Sequence, residues 1–222
     1  MAILDSKTIP SDLDTYNHRI KKKINLIWVT QFLNLIKNKK EIIKIKNLKI
    51  NDIGCNLFQF YKGIKKKKLR YNYFGYEFDR TYINCGLKFF PELKKKYKLT
   101  NIEKINFKTC DVSVISATLE HLNSPFSTLG NILKSTRKMI LLRTFCGRKN
   151  IKKLYYNAAY VKKPYYINQY SLKKIKEIFK KYGFSKITII TDKATHGKCT
   201  KIYPEIRRKF YILQGLKLKK GL

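Results

Sequence analysis

Negative charge is the scarcest property of this sequence. The 222 residues contain 14 Asp and Glu against 50 Lys and Arg, so the formal net charge is +36. Such an excess favours polyanionic partners, namely nucleic acids, anionic membrane surfaces or acidic glycans. Arg is scarce as well, at eight of the 50 basic residues, although its forked guanidinium is the group best suited to phosphates and bases.

The abundant residue types offer a second explanation of the charge. Lys, Ile, Asn, Tyr and Phe are all frequent, and all five have AT-rich codons. A genome low in G and C would raise them together and leave the charge spread over the surface. A base-composition bias and a selected polyanion site therefore both stay open. Under either explanation, the exposed lysines predict weak, salt-sensitive binding of nucleic acid.

Metal-ligand clusters and long apolar runs are also lacking. The five Cys form no C-x-x-C pair and have no set of His ligands nearby, which argues against a zinc site and a disulfide framework. The most apolar stretch, residues 24–36, is too short to cross a bilayer and is interrupted by polar residues. The first seven residues lack the layout of a signal peptide. We expect a cytoplasmic protein with no transmembrane segment and no bound metal.

The first 47 residues predict a helical extension. A helix is expected to begin at Ser11 and to continue to Ile36, because apolar residues recur every three or four positions. Its apolar face would pack against the main domain. The alternative is a helix on a membrane surface, with Lys21–Lys23 at its polar border.

Residues 48–222 alternate between strand and helix patterns. Strands are expected at 48–53, 71–77, 97–100, 112–116, 138–143, 186–191 and 209–214. Helices are expected at 58–68, 81–90, 126–135 and 171–183, and an irregular insertion at 150–168. This alternation predicts one α/β domain with a mostly parallel sheet covered by helices on both faces.

The first two strands end in residues that could bind a ligand. In Asp52-Ile53-Gly54-Cys55-Asn56, the Gly lets the backbone approach a ligand, and the amides that follow could hold a carboxylate or a phosphate. The second strand ends in Glu77, at about the 20-residue distance at which a carboxylate accepts ribose hydroxyls. The G-x-G-x-x-G pattern is absent, so a pyrophosphate has little room. A ligand with a ribose and no phosphates is favoured.

Four segments in order resemble class I S-adenosylmethionine-dependent methyltransferases of the general methyltransferase-domain type. The segments are Asp52–Asn56, Phe74–Asp79, the pair Asn101-Ile102, and Asp111–Leu122 with its Leu-Glu-His sequence. The match runs from about residue 48 to the last strand. Two positions depart from the family pattern, since Asn56 replaces the second Gly and Asn101 replaces the usual Asp.

The resemblance implies a Rossmann-like sheet of seven strands, the last antiparallel, with S-adenosylmethionine as cofactor. Glu77 would bind the ribose, Phe78 and Ile102 would sandwich the adenine, and Asn101 would pair with its edge. The methionine end would lie against Asp52, Gly54, Cys55, Asn56 and Ser116. The simpler alternatives are that Asp52 only caps its strand and that Glu77 is a surface charge.

A sulfonium is already an excellent leaving group, so catalysis consists mainly of positioning, with a base added if the acceptor is a hydroxyl. The candidate bases are Glu120 and His121, with His196 in the last loop. The alternative is that Glu120 and His121 only cap and pack the following loop. The tyrosines of the insertion either shape an acceptor pocket or cover the core: Tyr165, Tyr166 and Tyr170.

The favoured function is methyl transfer to a small molecule or a sugar, at oxygen. No Asn- or Asp-Pro-Pro-aromatic sequence follows the fourth strand, which counts against adenine or amide nitrogen as the acceptor in this family. No Pro-Cys follows it either, which counts against cytosine. The alternatives are an RNA methyltransferase and a non-catalytic nucleic-acid-binding protein on a degenerate methyltransferase fold.

Overall fold

The computed structural model describes residues 10–22, 25–155, 165–203 and 206–217. Within these ranges one sheet contains nine strands, and a separate pair forms a hairpin. The strands are β1 Lys49–Ile53, β2 Asn72–Glu77, β3 Tyr97–Leu99, β4 Cys110–Ser116, β5 Thr136–Gly147, β6 Leu154–Tyr155, β7 Tyr165–Tyr166, β8 Tyr170–Ser171, β9 Lys186–Thr191, β10 Cys199–Tyr203 and β11 Ile206–Leu216. Each of the seven predicted strands is present.

The order across the sheet is β3-β2-β1-β4-β5-β11, with β9 and β10 on the outer side of β11. The strands β1 to β5 pair in parallel. The last strand, β11, is antiparallel to both β5 and β9. This confirms the predicted mostly parallel sheet with an antiparallel last strand. The two-residue strands β6, β7 and β8 were not predicted, because segments this short carry no periodic pattern, and the five-residue β10 was missed as well.

Helices cover both faces of the sheet, as the alternation predicts. They are α1 Pro10–Lys21, α2 Ile27–Lys37, α3 Lys40–Ile43, α4 Gln59–Lys66, α5 Arg80–Phe89, α6 Pro125–Ser135 and α7 Leu172–Lys181. Residues of α2, α4 and α5 pack on one face, against Ile50, Val112 and Leu141. Residues of α6 and α7 pack on the other, against Ile115 and Leu142. Side chains of β4 and β5 therefore alternate along each strand between the cores on the two faces of the sheet.

The predicted single helix at the N-terminus is wrong, because two helices form, α1 and α2. Helix α1 ends at Lys21 and α2 begins at Ile27, directly after Leu26, which has an extended backbone. The apolar face of α2 lies in the main core, with Phe32, Leu33 and Ile36 completely buried. A face buried in the protein is not available to a membrane surface. The described part of the extension thus completes the same core as the sheet.

The insertion after β5 is only partly described, since residues 156–164 lie outside the described ranges. Its two sides meet in the β6–β7 hairpin and in a bridge between Ile151 and Gln169. Tyr170 is buried, and its hydroxyl donates to the Leu119 carbonyl at 2.6 Å, so it covers the core. In the described chain, no helix has both the length and the apolar character needed to span a membrane.

Candidate functional site

The predicted site residues gather where the strand order reverses. From β1 the chain goes to β2 and β3 on one side and later to β4 and β5 on the other. In open α/β sheets a ligand lies beyond the carboxyl ends of the strands at such a switch point. Ile53 pairs with Tyr76 of β2 and with Ile115 of β4. The ends of these three strands therefore lie side by side, and they carry Glu77 and Ser116.

The turn after β1 has an unusual backbone. Gly54, Asn56 and Phe58 all have positive φ, at 72°, 50° and 61°. A Cβ on Gly54 would lie 2.2 Å from the Thr118 hydroxyl oxygen, so the position requires Gly. Asn tolerates a left-handed backbone better than most residues, so Asn56 can occupy the position of the missing second Gly. Phe58 holds its strained conformation because its ring is completely buried.

The backbone amides of this turn, residues 54–58, are all used inside the protein. The first two donate to the carbonyl oxygen of Tyr76. The third donates to Glu77 Oε2 at 2.8 Å, and the last two donate to acceptors within the turn. The sequence-based expectation that these amides hold a carboxylate or a phosphate is therefore wrong, because no N–H is left for an anion. The turn is better suited to a cation.

Glu77 is a buried carboxylate and not a surface charge. Its side chain is 4% exposed. Oε1 accepts from the amides of Phe78 and Asp79, at 3.0 and 3.2 Å, in addition to the bond from Asn56 to Oε2. Burial raises the pKa of Glu77 to about 7, although the three amides oppose the shift. A carboxylate has about four acceptor positions, so one remains and a second becomes available if the longest bond is released.

Asp52 is a second buried carboxylate at the same edge. Its Oδ2 accepts from the Tyr73 hydroxyl at 2.8 Å. Burial raises the pKa of Asp52 to about 7, and the charge of Glu77 adds to the shift while the Tyr73 bond opposes it. Within the described residues, neither carboxylate forms an ion pair. Buried charges are costly unless they are paired, so this arrangement favours a cationic ligand.

The predicted adenine residues lie after β2 and β3. Phe78 is 41% exposed and Ile102 is buried. The Asn101 side-chain oxygen accepts from the Glu103 amide at 2.9 Å and caps the 3₁₀ turn Ile102–Lys104. Only the amino group of Asn101 is then left to meet a base edge. The Cys55 thiol packs against Gly75 inside the sheet, so Cys55 can contribute only backbone atoms.

The candidate bases occupy different environments. Glu120 is completely buried in the 3₁₀ turn Leu119–His121, and its Oε2 accepts from the Thr144 hydroxyl at 2.7 Å. His121 is exposed, and its Nδ1 lies 2.9 Å from the Tyr166 carbonyl oxygen. Since a carbonyl only accepts, that nitrogen carries the proton. His196 is exposed after β9 with a φ of 51°. The Tyr165 side chain lies outside the described residues.

A buried ion pair near this edge was missed from the sequence. Arg143 of β5 pairs with Ser116 in the sheet register, and its Nη2 lies 3.0 Å from Asp192 Oδ2. The guanidinium also stacks on Phe210, 3.8 Å from the ring centroid. Asp192 is completely buried and follows β9. The available signal was an Arg directly after the apolar run Met139–Leu142.

Solved structures with a similar fold are methyltransferases. The magnesium protoporphyrin IX methyltransferase of Synechocystis matches with a TM-score of 0.61 and 12% identity, over 94% of this chain and 92% of that one. An S-adenosylmethionine-dependent methyltransferase of Clostridium acetobutylicum matches with a TM-score of 0.61 and 9% identity, over 94% and 98%. Phosphoethanolamine N-methyltransferase 2 of Haemonchus contortus matches with 0.59 and 13%, over 86% and 52%.

Sequence comparison gives no match, either to a family model or to a curated protein. At these identities the structural likeness establishes the fold. The chain has the fold of class I S-adenosylmethionine-dependent methyltransferases, in agreement with the resemblance of its motifs.

Proposed function

We propose that this protein binds S-adenosylmethionine at the carboxyl edge of β1, β2 and β4 and transfers its methyl group to a small molecule or sugar, at oxygen. The carrying observation is the pair of buried carboxylates, Asp52 and Glu77, beside a turn whose amides are all in use. This set of groups suits a cation that carries hydroxyls. S-adenosylmethionine has a sulfonium, an ammonium and two ribose hydroxyls, which fit these acceptors, and its own carboxylate would take donors outside residues 54–58.

The same observation argues against the competing classes of ligand. A dinucleotide or a nucleoside phosphate needs free amides for its phosphates, and this turn has none to offer. Glu77 would accept one ribose hydroxyl at its remaining acceptor position and a second by giving up the 3.2 Å bond from Asp79. Phe78 and Ile102 would enclose the adenine, and the Asn101 amino group would meet its edge.

Methyl transfer needs few protein groups. When bound, S-adenosylmethionine supplies an electrophilic methyl group on a sulfonium that leaves readily. The chain's own residues would hold the acceptor in line and exclude water. We place His121 ahead of Glu120 as the proton acceptor, because His121 is exposed with Nδ1 oriented by a carbonyl, whereas Glu120 is completely buried and bonded to Thr144.

The small-molecule acceptor is supported by the names of similar proteins and by the sequence after β4. Two of the similar structures are named for small acceptors, a magnesium porphyrin and phosphoethanolamine. The sequence after β4 also lacks the motifs for methylation of adenine or cytosine. A survey of small hydroxylated acceptors with labelled cofactor would test this assignment. Transfer to RNA alone would contradict it.

Calorimetry with S-adenosylhomocysteine tests the cofactor site directly. Glu77→Ala should weaken binding by about 10-fold or more, since each hydrogen bond to a charged group contributes roughly 1.5–3 kcal/mol. Glu92→Ala is the matched control, because Glu92 is an exposed glutamate bound to Lys65 outside the site. The proposal is wrong if wild type does not bind, or if Glu77→Ala binds as tightly as the control.

A further inference from the structure

The amino edge of the sheet collects exposed lysines. In this fold the C-terminal ends of the helices and the segments that lead into the parallel strands lie at the same edge of the sheet. Before β2 the chain has Lys65–Lys68 and Arg70, and before β3 it has Lys94–Lys96; all of these are exposed. We call residues 44–49, 65–70, 94–96, 134–138 and 180–186 the basic edge. None of these segments contains Asp or Glu.

The basic edge is continuous across the sheet. The Lys49 amide and the Arg137 guanidinium both contact the carboxylate of Asp111, which links the starts of β1, β4 and β5. Lys186 pairs with Leu216, which pairs with Met139, so the start of β9 lies at the same level. At about 4.8 Å per strand, the edge from β3 to β9 is about 30 Å long.

Carboxylates lie mostly at the other edge. Three carboxylates lie near the basic edge, Glu41, Glu92 and Asp111, and the last two are bound by Lys65 and Arg137, at 2.6 and 2.8 Å. The segments at the carboxyl ends of the strands contain six: Asp52, Glu77, Asp79, Glu103, Glu120 and Asp192. Exposed lysines also lie at the other edge, among them Lys149, Lys173 and Lys193, but the excess of basic over acidic residues is larger at the basic edge.

Helix dipoles explain only part of this pattern. Basic residues in the last turn of a helix are stabilising, which accounts for Lys65, Lys66, Lys180 and Lys181. The run Lys94–Lys96 and the residues entering the other strands lie outside the α-helices. A second cause is needed for them.

We propose that the basic edge binds the phosphate backbone of a nucleic acid without reading its sequence. Closely spaced ammonium groups over about 30 Å complement a chain of phosphates, and Lys acts there as a point charge rather than as a base-reading fork. Tyr71 and Tyr182 are half-buried at the same edge, and aromatic faces can stack on unpaired bases. Lys134 lies over the Tyr182 ring, 6.0 Å from its centroid.

An anionic membrane fits this edge less well. Stable attachment to a membrane generally needs apolar groups or a lipid anchor in addition to basic residues. Among the described residues, the exposed large hydrophobic side chains are Ile27, Ile43, Phe78 and Ile189. Of these, Ile43 directly precedes the basic edge and Ile189 lies three residues after it in β9. The edge offers charge with almost no apolar surface.

This binding would be separate from methyl transfer. Glu77 ends β2, whereas Arg70 precedes its start, and a strand of six residues is about 20 Å long. A nucleic acid on the basic edge therefore lies at the opposite end of the sheet from the proposed cofactor site. Its effect would be to retain the protein on nucleic acid, whatever the methyl acceptor is.

The test compares two variants of equal net charge. The first has Lys67→Glu, Lys95→Glu, Lys180→Glu and Lys186→Glu on the basic edge. The control has four exposed lysines changed at the other edge: Lys149→Glu, Lys173→Glu, Lys193→Glu and Lys198→Glu. Binding to a labelled 20-nucleotide RNA is measured by fluorescence anisotropy over a range of salt concentrations.

We expect the basic-edge variant to bind at least about 30-fold more weakly and its salt slope to fall by about 3, at roughly 0.7 per lost phosphate contact. The control should lose less than about 3-fold. Equal losses in both variants would overturn the proposal. It would also be overturned if the basic-edge changes weaken binding to vesicles of anionic lipid but do not weaken binding to RNA. Lys→Gln changes at the same four positions give a second, milder measurement should charge reversal disturb folding. Calorimetry with S-adenosylhomocysteine should give the same affinity for wild type and the basic-edge variant.

Discussion

Asp52 and Glu77 are the residues on which the proposed chemistry depends most. Their place at the ends of β1 and β2 was predictable, because the strand pattern and the spacing are both visible in the sequence. Their burial and the use of every amide in residues 54–58 were not. Those features depend on partners distant in sequence, such as Tyr73 and Tyr76, whose contacts no local pattern contains.

The raised pKa values of these two carboxylates give a pH dependence with opposite signs for folding and binding. A carboxyl group whose pKa is about 7 in the folded protein keeps its proton where the unfolded chain, with ordinary values near 4, has lost it. The contribution of Asp52 and Glu77 to stability therefore decreases as pH rises from about 4 to 7. Affinity for a cationic cofactor should increase toward pH 8, because the ionised form attracts it.

Thermal unfolding between pH 5 and 8 measures the trend in stability. Calorimetry with S-adenosylmethionine over the same range measures the trend in affinity. In the double variant Asp52→Asn with Glu77→Gln, both groups are neutral at every pH, so both trends should flatten relative to wild type. An unchanged pH dependence of cofactor affinity in this variant would exclude these two groups as its origin.

Gly54 combines a positive φ with a close contact to Thr118. Gly54→Ala should therefore destabilise the protein by about 1–3 kcal/mol, as measured by urea unfolding. The double variant with Thr118→Ala should recover part of this loss, because two of the three nearest atoms belong to the hydroxyl and methyl groups of Thr118. Full additivity of the two changes would show that steric contact is not the cause and that backbone strain acts alone.

At the scale of elements, the contact between the end of β5 and the loop after β9 depends on a buried ion pair. Asp192 accepts from Arg143 and from the Thr195 hydroxyl, and Gln31 of α2 bonds to both neighbours of Asp192 in the chain. One carboxylate thus organises the contact of strand, turn and helix.

Removing that carboxylate should be costly. Asp192→Ala leaves Arg143 buried without its partner, so we expect a loss of about 3–5 kcal/mol in the free energy of unfolding. The matched control is Lys65→Ala, which breaks an ion pair whose two side chains are 55% and 39% exposed. Its loss should be at most about 1 kcal/mol. Similar losses in the two variants would mean that burial of the Arg143 pair does not determine its contribution.

The elements themselves were largely predictable, and the exceptions have physical causes. The alternation of short apolar segments with helical patterns located the seven main strands, and a run of β-branched residues marked β4. The break between α1 and α2 was missed because apolar residues keep a helical spacing on both sides of it. The strands β8 and β10 were missed because their pairing with β5 and β11 is decided by tertiary contacts.

For the whole molecule, the important asymmetry is that of charge between the two edges of the sheet. Composition revealed the size of the positive excess but not where it lies. Its position depends on the direction of the strands and on the edge at which each helix leads the chain back to the sheet. Lysines crowded at one edge repel each other, and salt screens that repulsion.

We therefore expect the midpoint of thermal unfolding to rise when NaCl is increased from about 0.1 to 1 M, as the screening length falls from about 10 to 3 Å. The variant with four Lys→Glu changes on the basic edge should show a smaller rise than the equally charged control. An equal rise in both would attribute the effect to total charge or to general salting-out.

The burial of α2 limits how this protein can be shortened. The sequence changes near residue 47 from a helical pattern to alternating strands and helices. A shortened protein for crystallisation would therefore naturally be started there. Yet Phe32, Leu33 and Ile36 are completely buried in the core that also contains Ile50 and Leu141. Each such side chain contributes roughly 1.5–3 kcal/mol. A version that starts at residue 48 would expose one face of its sheet and would be prone to aggregate, so α2 has to be kept in any shortened version.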